Sequence, residues 1–283
     1  MFEWYECIMN EKKRKIFMMF GVLFFVLYMG FGEIPNDKLE VSFLDVGQGD
    51  SIYIKTPSNN KILVDGGPRN YVLKELSNVI PFFDKTIDLV VLTHPHDDHL
   101  QGLNEVVKRY KIGAVMMTGA AFDTEAYKEF LRLIKEKNIP VIIAEAGKDF
   151  SFGDVDFDVL YPFKSVAGNS FENINNSSIA IKLIYKNAEV YLGGDGEKEV
   201  ENELVSFAAP LKSSIYKASH HGSRTASTPQ FLSEVSPKIA VIQVGKNNTF
   251  KHPHPETLRN FVRQKIEKVY RTDKDGTIKI TFE

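Results

Sequence analysis

Apolar and polar residues follow one another in short runs along most of the chain, and these runs predict β-strands. They are rich in Val, Ile, Tyr and Phe, and many end at Gly, Pro or Asp. In chain order the predicted strands are LEVSFLDV, DSIYIKT, KILVDGG, IDLVVLT, GAVMMTG, PVIIAEA, VDFDVLY, SSIAIKLIY, AEVYLGG, SSIYKAS, KIAVIQVG, KVYRT and TIKITFE.

Helical patterns stand between many of these runs. The clearest covers residues 124–137, with Asp123 as the expected N-cap. Its apolar residues recur at three- and four-residue steps, at Tyr127, Phe130, Leu131 and Ile134. Many strands with interspersed helices predict an α+β fold in which two sheets pack together and helices cover the outside. Because no repeat or Pro/Ser-rich linker follows, we expect one domain over residues 39–283.

The N-terminal part of the chain has a different pattern. Residues 16–32 carry no charge, and the basic sequence KKRK precedes them. This run is at the short end for a transmembrane helix and slightly longer than the usual signal-peptide core. The positive-inside rule then favours a cytoplasmic N-terminus at 1–15, an uncleaved membrane anchor at 16–32, a linker at 33–38 and an extracytoplasmic domain. A cleaved signal segment, giving a secreted domain, and a buried soluble helix are the alternatives.

The composition is that of an ordinary globular protein, with 43% hydrophobic and 25% charged residues. The formal net charge of −2 at pH 7 does not mark the chain as a nucleic-acid binder. Cys7 is the single cysteine, which excludes an intramolecular disulfide and a zinc site built from cysteines. Any metal must therefore be held by histidine and carboxylate side chains.

Three histidines and two aspartates follow the predicted strand IDLVVLT, in the sequence HPHDDH. In an extended backbone alternate side chains point the same way, so His94, His96 and Asp98 can converge. The turn into the next helix, expected from about Leu100, brings His99 beside them. Imidazole and carboxylate ligands suit zinc, or manganese and iron where more oxygen is supplied. The helix directs its positive end toward an anion bound there.

Two later clusters also stand at the ends of predicted strands. Asp195 lies between glycines in VYLGGDGE, and His220 and His221 follow the strand in KASHHGS. Either cluster alone could be a turn or a surface pair, but three such clusters in one domain favour one shared site. Asp45 and Asp65 are expected instead to hold loops through hydrogen bonds to backbone amides.

These clusters belong to a wider set of motifs with a known counterpart. The chain carries FLDVGQGDSI, LVDGG, HPHDDH, NNSSIAIKL, GGDGE and HHGS in this order. Together they resemble the metallo-β-lactamase fold and, within it, the extracellular hydrolase domain of the ComEC/Rec2 competence family. The similarity covers about residues 39–281.

The resemblance implies a four-layer αβ/βα sandwich with a binuclear metal site at one edge between its two sheets. It implies two divalent ions, zinc first and manganese as the alternative. His94 and His96 would bind the first ion, Asp98, His99 and His221 the second, and Asp195 would bridge them.

One departure from many enzymes of this fold concerns the first metal. They place another histidine before the bridging aspartate, whereas this chain has none between His99 and His220. At the comparable place stands NINNSS, in a polar stretch over residues 164–177 that is long enough for a functional loop. Asn176 is a candidate contact for the first metal or the substrate, with a turn or strand-entry role as the alternative. The first site should then be open, a feature shared by ComEC-like proteins.

The implied chemistry is hydrolysis by a metal-activated water. Two metals about 3.5–4 Å apart would activate it near neutral pH and stabilise charge on a phosphoryl or tetrahedral oxygen. Asp98 could orient this water as well as bind metal. We expect His220 to protonate the leaving group, with His254 as a second candidate. His252 is a candidate substrate contact, although a Pro-ordered surface loop would equally explain both histidines of HPHP.

The resemblance implies a phosphodiester substrate, either DNA or a smaller cell-envelope phosphodiester. Residues 246–283 are richer in Lys and Arg than in Asp and Glu, which a local attraction for anions or a solvated helical face would explain. Two alternatives stay open: a β-lactamase or other acyl hydrolase, and a non-catalytic envelope or DNA-binding module. With one apolar segment, we do not expect the chain itself to form a DNA-uptake channel. The sequence indicates no protein partner.

Overall fold

The computed structural model describes residues 15, 16, 18–20 and 37–283. The predicted cytoplasmic N-terminus, membrane segment and linker lie almost wholly outside these residues. Within the part that is described, no helix is long and apolar enough to cross a membrane. The anchor, its orientation and the extracytoplasmic location therefore remain predictions.

Seven strands form the first sheet. In chain order they are β1 (Leu39–Phe43), β2 (Ile52–Lys55), β3 (Lys61–Val64), β4 (Thr86–Leu92), β5 (Lys111–Met117), β6 (Val141–Ile143) and β14 (Ile278–Phe282). Their order across the sheet is β14-β1-β2-β3-β4-β5-β6. Pairing is antiparallel from β14 to β3 and parallel from β3 to β6.

The second sheet has the same size and a similar plan. Its strands are β7 (Phe150–Phe152), β8 (Val155–Tyr161), β9 (Ala180–Tyr185), β10 (Ala188–Leu192), β11 (Ile215–Lys217), β12 (Ile239–Ile242) and β13 (Lys268–Arg271), in the order β13-β12-β11-β10-β9-β8-β7. Strands β10 to β13 are parallel, and β7 to β10 are antiparallel. All thirteen predicted strands are present, and the short edge strand β7 is the one that the sequence did not predict.

Helices cover the outer face of each sheet. They are α1 (Tyr71–Val79), α2 (Asp97–Arg109), α3 (Glu125–Glu136), α4 (Lys198–Ser206), α5 (Pro229–Val235), α6 (Pro255–Arg263) and α7 (Thr272–Asp275). Two short 3-10 helices, Ile174–Ser177 and Ser219–Gly222, lie in loops of the second sheet.

Three apolar clusters hold these layers together. One fills the space between the sheets and includes Phe43, Val91, Phe157 and Leu183. A second packs the first sheet against α1, α2 and α3, and a third packs the second sheet against α4, α5 and α6. Successive side chains of a strand point to opposite faces of the sheet, so neighbouring residues enter different clusters. The result is the expected α+β, four-layer αβ/βα sandwich.

Helix α3 shows where the helical pattern was incomplete. It begins after Thr124, whose side chain accepts a hydrogen bond from the Tyr127 backbone N–H, so Thr124 and not Asp123 is the N-cap. Asp123 instead pairs with Lys128 on the surface. Leu131, one of the recurring apolar residues of this helix, is 39% exposed.

Candidate metal centre

The carboxyl ends of parallel strands from both sheets meet at one edge of the sandwich. In the first sheet, the loops after β1, β3 and β4 reach this edge, and in the second, the loops after β10, β11 and β12. Ligands of α/β proteins commonly bind beyond such strand ends. The strand-end clusters of the sequence therefore meet in space, as expected.

The HPHDDH segment passes from strand to helix earlier than predicted. Helix α2 begins at Asp97 with His96 as its N-cap. Asp98 and His99 therefore lie in the first helical turn, and Asp98 does not continue the extended backbone of His94 and His96. Both still reach the shared site, because the first turn of α2 points toward the second sheet's loops.

Four side chains form the centre of the site. Each of Asp98, His99, Asp195 and His221 offers one ligand atom, and these atoms all lie within 4.8 Å of one another. Oδ2 of Asp195 is 3.2 Å from Nε2 of His99 and 3.2 Å from Nε2 of His221. Nε2 of His221 is also 3.3 Å from Oδ2 of Asp98.

His94 and His96 lie beside this group. Nε2 of His94 is 3.1 Å from Nδ1 of His96, and the His94 ring is centred 4.2 Å from that of His99. His94 is buried, whereas His96 is partly exposed and lines the cavity above the site. All six predicted ligands are thus at this edge, with Asp195 contacting two of the three ligands assigned to the second metal.

Carboxylate and carbonyl groups orient the two central imidazoles. Nδ1 of His99 is 2.8 Å from Oδ2 of Asp65, which also contacts the Thr93 hydroxyl. Nδ1 of His221 is 3.1 Å from the Gln243 carbonyl oxygen. In both residues the contact at Nδ1 leaves Nε2 facing the centre of the cluster, which is how proteins prepare histidine for metal binding.

A buried ion pair lies behind the cluster. The ammonium of Lys217 contacts Oδ2 of Asp50, and both side chains are almost completely buried. Asp50 also places Oδ1 3.2 Å from Nδ1 of His221, while Lys217 lies 3.8 Å from Oδ1 of Asp195. The lysine therefore neutralises part of the negative charge that Asp50 and Asp195 bring into the interior.

Close backbone contacts explain two of the glycines in the motifs. A Cβ on Gly49 would lie 2.2 Å from the carbonyl oxygen of Asp98, which accepts a hydrogen bond from the Asp50 N–H. Gly194 has φ +53°, and a Cβ there would lie 2.9 Å from the Thr93 side chain. Only glycine allows these loops to approach each other so closely.

The donor set fits divalent metal ions. Nε2 of His99, Nε2 of His221 and Oδ1 of Asp195 are buried and form no hydrogen bond of acceptable geometry, although Oδ2 of Asp195 lies 3.2 Å from each Nε2 atom. Each such buried orphan costs about 1–3 kcal/mol unless a partner satisfies it. Nitrogen and oxygen donors within one small space are what zinc and manganese bind, so a metal would supply the missing partner.

The electrostatics of the cluster also favour binding of a cation. Burial alone would lower the pKa of His99, but the carboxylates of Asp195 and Asp65 raise it well above its ordinary value. Burial would likewise lower the pKa of His221, which Asp195 and Asp50 raise. Carboxylates thus outweigh desolvation here, and the site attracts positive charge.

His220 stands next to the cluster in an unusual backbone conformation. Both His220 and His221 have positive φ, at 49° and 53°, in a region that residues other than glycine rarely occupy. Nδ1 of His220 is 3.1 Å from Oε1 of Glu197 and 3.1 Å from the Thr225 hydroxyl. Nε2 is 4.0 Å from Oδ2 of Asp195. The ring therefore lies between an orienting carboxylate and the metal ligands.

The Asn-rich stretch supports Glu197 and does not face the cavity. Asn175 donates to Oε1 of Glu197, and Asn176 accepts from the Glu197 backbone N–H and donates to Glu199. Burial would raise the pKa of Glu197, but hydrogen bonds from His220 and Asn175 lower it to about 2. These contacts correspond to the turn role for Asn176 and do not support a metal or substrate contact.

The two histidines of HPHP occupy different positions. His252 lines the cavity, and its ring is centred 5.5 Å from that of His220. Nδ1 of His254 accepts the Arg224 backbone N–H, and the residue caps α6 outside the cavity lining. His252 thus lies at the cavity, where a substrate contact stays a prediction, whereas the geometry does not favour His254 as a proton donor.

A cavity of about 730 Å³ opens above the cluster. Its floor includes Asp98, Asp195 and His221, and His96, His220 and His252 lie around it. The size is that of sites for small organic molecules or parts of larger ones. A substrate in this cavity would reach the ligand cluster and His220 together.

Three residues of the site were not predicted from the sequence as site residues. Glu197 ends the motif GGDGE and Asp50 lies in the motif FLDVGQGDSI, but neither residue was assigned a role. Lys217 is a charged residue at the end of a buried strand, three positions before His220, which is a usable signal. Asp65 accepts the Thr93 backbone N–H as expected, but its contact with His99 was not foreseen.

Comparison with known proteins agrees with this geometry. ComE operon protein 3 of Bacillus subtilis is 28% identical over 260 residues, which are 86% of this chain and 33% of that protein. The chain thus spans about a third of the length of the competence relatives that it matches. Exodeoxyribonuclease WalJ of Streptococcus pneumoniae is 30% identical over 112 residues, 39% of each protein. The resemblance to the ComEC/Rec2 family is confirmed.

Solved structures and family profiles show the fold and the family. YhfI of Bacillus subtilis, a metallo-β-lactamase fold protein, aligns with a TM-score of 0.58 over 87% of this chain and 99% of its own, at 11% identity. The profile of the metallo-β-lactamase superfamily matches residues 44–246. The chain therefore belongs to the metallo-β-lactamase superfamily.

Proposed function

We propose that the chain is a metal-dependent hydrolase that cleaves phosphodiesters and that its substrate is nucleic acid. The observation that carries the proposal is the position of His220, between Glu197 and the ligand cluster at the floor of an open cavity. Cleavage of a P–O bond leaves an alkoxide that needs a proton. A histidine held at this position, beside the ligands and not among them, can provide one.

The ligand cluster would hold two divalent ions, with zinc favoured by its imidazole and carboxylate donors and manganese as the alternative. Such ions lower the pKa of water and stabilise negative charge on phosphoryl oxygens. Asp195 would contact both ions, and His94 and His96 would hold the first, more open one. Asp98, which is partly exposed at the floor of the cavity, would also orient the attacking water.

The proton path follows from contacts of the chain itself. Oε1 of Glu197 lies 3.1 Å from Nδ1 of His220 and can accept a hydrogen bond from it, which leaves Nε2 as the nitrogen that would deliver a proton. Nε2 faces the cluster, so the leaving oxygen would receive this proton. Thr225 fixes the ring from the same side as Glu197.

Two further observations support nucleic acid among phosphodiesters. The WalJ relative carries the name exodeoxyribonuclease, and the competence relatives are similar over most of this chain. The loop at the cavity mouth contains the exposed lysines Lys246 and Lys251, which favour an anionic substrate. If DNA is the substrate, the rate at limiting substrate should fall as salt rises, because phosphate binding releases counterions.

A small substrate panel tests the reaction class. The full chain, with zinc or manganese added and with a chelator, is given bis-p-nitrophenyl phosphate, single-stranded DNA, duplex DNA and nitrocefin. We expect metal-dependent cleavage of the diester and of DNA, and no turnover of nitrocefin. Nitrocefin turnover with inert diesters would show an acyl hydrolase, and a metal-loaded chain inert to all four would indicate a non-catalytic binding module.

A further inference from the structure

We infer that Phe250 and Tyr71, on the walls of the cavity above the ligand cluster (the metal cavity), form a stacking site that selects nucleic acid with unpaired bases. The inference rests on the proposed function and names the part of the substrate that this cavity takes beside the scissile phosphate. It concerns side chains that no step of the hydrolysis itself uses.

The exposure of these rings is the first observation. In residues 37–283, the exposed large aromatic side chains are Tyr71, Phe82, Phe207 and Phe250, with 45%, 67%, 66% and 61% of their surface accessible. Two of the four, Tyr71 and Phe250, line the metal cavity. Apolar rings kept in water beside a ligand cluster are typical of a binding surface and not of a folding core.

Phe250 is held in a defined orientation. Its loop is fixed by Asn248, which donates to the carbonyl oxygens of Gly245 and His252 and accepts the His252 backbone N–H. The Phe250 ring stacks on the His252 ring, with centroids 5.7 Å apart and planes 23° apart. One face of Phe250 is therefore covered, and the exposed part can receive another flat ring.

The Tyr71 wall combines an aromatic ring with a cation. The Arg69 guanidinium lies 5.9 Å from the centre of the Tyr71 ring, and its Nη1 donates to the Tyr71 hydroxyl over 3.1 Å. Arg69 has φ +54°, and its backbone N–H donates to Gln101 of helix α2. Helix α2 also carries Asp98 and His99, so this wall is tied to the metal ligands. Arg69 can pair with a phosphate next to the stacked base.

The arrangement favours unpaired bases over other diester substrates. Every base offers a flat π-face to aromatic side chains, and this stacking tolerates any sequence. In a duplex the neighbouring base pairs cover those faces, so only an unpaired base can use the site. The cavity of about 730 Å³ has room for more than a phosphate group, and Arg69 adds positive charge beside the rings.

The test measures how much the bases contribute to binding. Two competitors of equal length, an oligothymidylate and an abasic oligomer with the same phosphates, inhibit bis-p-nitrophenyl phosphate hydrolysis by the metal-loaded full chain. The unchanged chain should bind the oligothymidylate at least about fivefold more tightly than the abasic oligomer, since one stacked base is worth about this or more. Duplex DNA should compete no better than the abasic oligomer.

Variants locate the effect on the cavity walls. Phe250→Ala should reduce the preference for bases to about onefold to twofold, Tyr71→Ala should reduce it in part, and Phe250→Trp should restore it. Phe207→Ala and Phe82→Ala remove rings that are about as exposed as Phe250 but lie outside the cavity lining, and both variants should keep the full preference for bases. Melting temperatures of all variants would confirm that they fold.

The outcomes separate this inference from the proposed function. Diester hydrolysis with no preference for bases, or with a preference that survives Phe250→Ala and Tyr71→Ala, overturns the stacking site and leaves the proposed function standing. If the unchanged chain hydrolyses no diester, the proposed function fails and the stacking site fails with it.

Discussion

Asp65 holds His99 from behind, with its Oδ2 atom 2.8 Å from the Nδ1 atom of the imidazole, although the two residues are 34 positions apart. The contact leaves Nε2 of His99 buried, without a hydrogen bond, and facing Asp195. A loop of the first sheet thus fixes the ring that helix α2 presents. The geometry of the ligand cluster depends on this pair as much as on the ligands.

Changing Asp65 to asparagine should weaken metal binding by about 10–100-fold. The amide can still accept the Thr93 backbone N–H, but its NH₂ group then faces Nδ1 of His99 and favours the tautomer with a proton on Nε2. A competition titration with a chromogenic chelator measures the affinity. Asp45→Asn is the matched control, because the Asp45 side chain accepts the Gly47 backbone N–H within its own loop. Equal metal affinity of both variants would show that Asp65 has no orienting role.

Changing His220 to alanine should lower the rate of DNA cleavage, whose alkoxide leaving group needs a proton, by about 10²–10⁴-fold while the bound metal stays the same. Loss of a proton donor affects turnover, whereas loss of a ligand would also release metal. Metal analysis of the purified variant, measured together with kcat, separates these two roles. A parallel loss of metal and rate would make His220 a ligand.

Glu197→Gln should lower kcat in the same direction as His220→Ala but by less, because the ring stays in place and loses only the charged partner at Nδ1. A substrate with a p-nitrophenolate leaving group, which needs little protonation, should be cleaved almost normally by the variant. Glu199→Gln, at the same helix terminus, is the control and should behave as the unchanged chain. An equal effect of Glu197→Gln on good and poor leaving groups would contradict this role.

Replacing Lys217 by methionine should destabilise the fold by about 3–5 kcal/mol, because it leaves the Asp50 carboxylate buried without its cation. Urea unfolding measures the free energy. A second change, Asp50→Asn in the same chain, removes the orphaned charge and should recover part of the loss. Lys212→Met, on the exposed surface, should change stability by no more than about 0.5 kcal/mol. A Lys217→Met chain as stable as the control would refute the ion pair's contribution.

Glu201 should make the fold less stable as pH rises from about 4.5 to 7. Its carboxylate accepts the backbone N–H groups of Ser227 and Thr228, yet burial raises its pKa to about 7. The folded state binds the Glu201 proton more tightly than the unfolded state. The stabilisation is therefore complete at pH values below the pKa of Glu201 in the unfolded chain, and it is lost as pH rises through the pKa of Glu201 in the folded chain. The difference in unfolding free energy between the unchanged chain and Glu201→Gln, measured at pH 5 and pH 8, should shift by about 2–3 kcal/mol. A pH-independent difference would refute it.

The fold could be predicted from the sequence because its strands carry a strong signal. Thirteen apolar runs match observed strands, and the missed one, β7, has only three residues at a sheet edge, all at least partly exposed. The error at the start of α3 has a simple cause: Asp123 and Thr124 are both good N-caps, and only the hydrogen bond to Tyr127 decides between them.

The candidate site was predictable where the residue types themselves carry the chemistry. Histidines and aspartates at strand ends mark the ligand cluster, but the sequence does not show which loops will touch. Asp50, Lys217 and Glu197 act through contacts between distant parts of the chain, so their roles required the structure. For the same reason Asn176, whose type suits a ligand, was found to contact Glu197 and Glu199 instead.

Metal-dependent phosphodiester hydrolysis is tested most directly by the rate of bis-p-nitrophenyl phosphate cleavage as a function of divalent metal bound per chain, for the unchanged protein and for Asp195→Ala. We expect the rate to rise with bound metal to a maximum near two ions per chain. We also expect Asp195→Ala to lose both ions and the activity together, because the Asp195 carboxylate contacts the ligands of the second site and would bridge to the first. Hydrolysis that persists without bound metal, or a fully loaded chain that leaves the diester intact, would contradict this proposal.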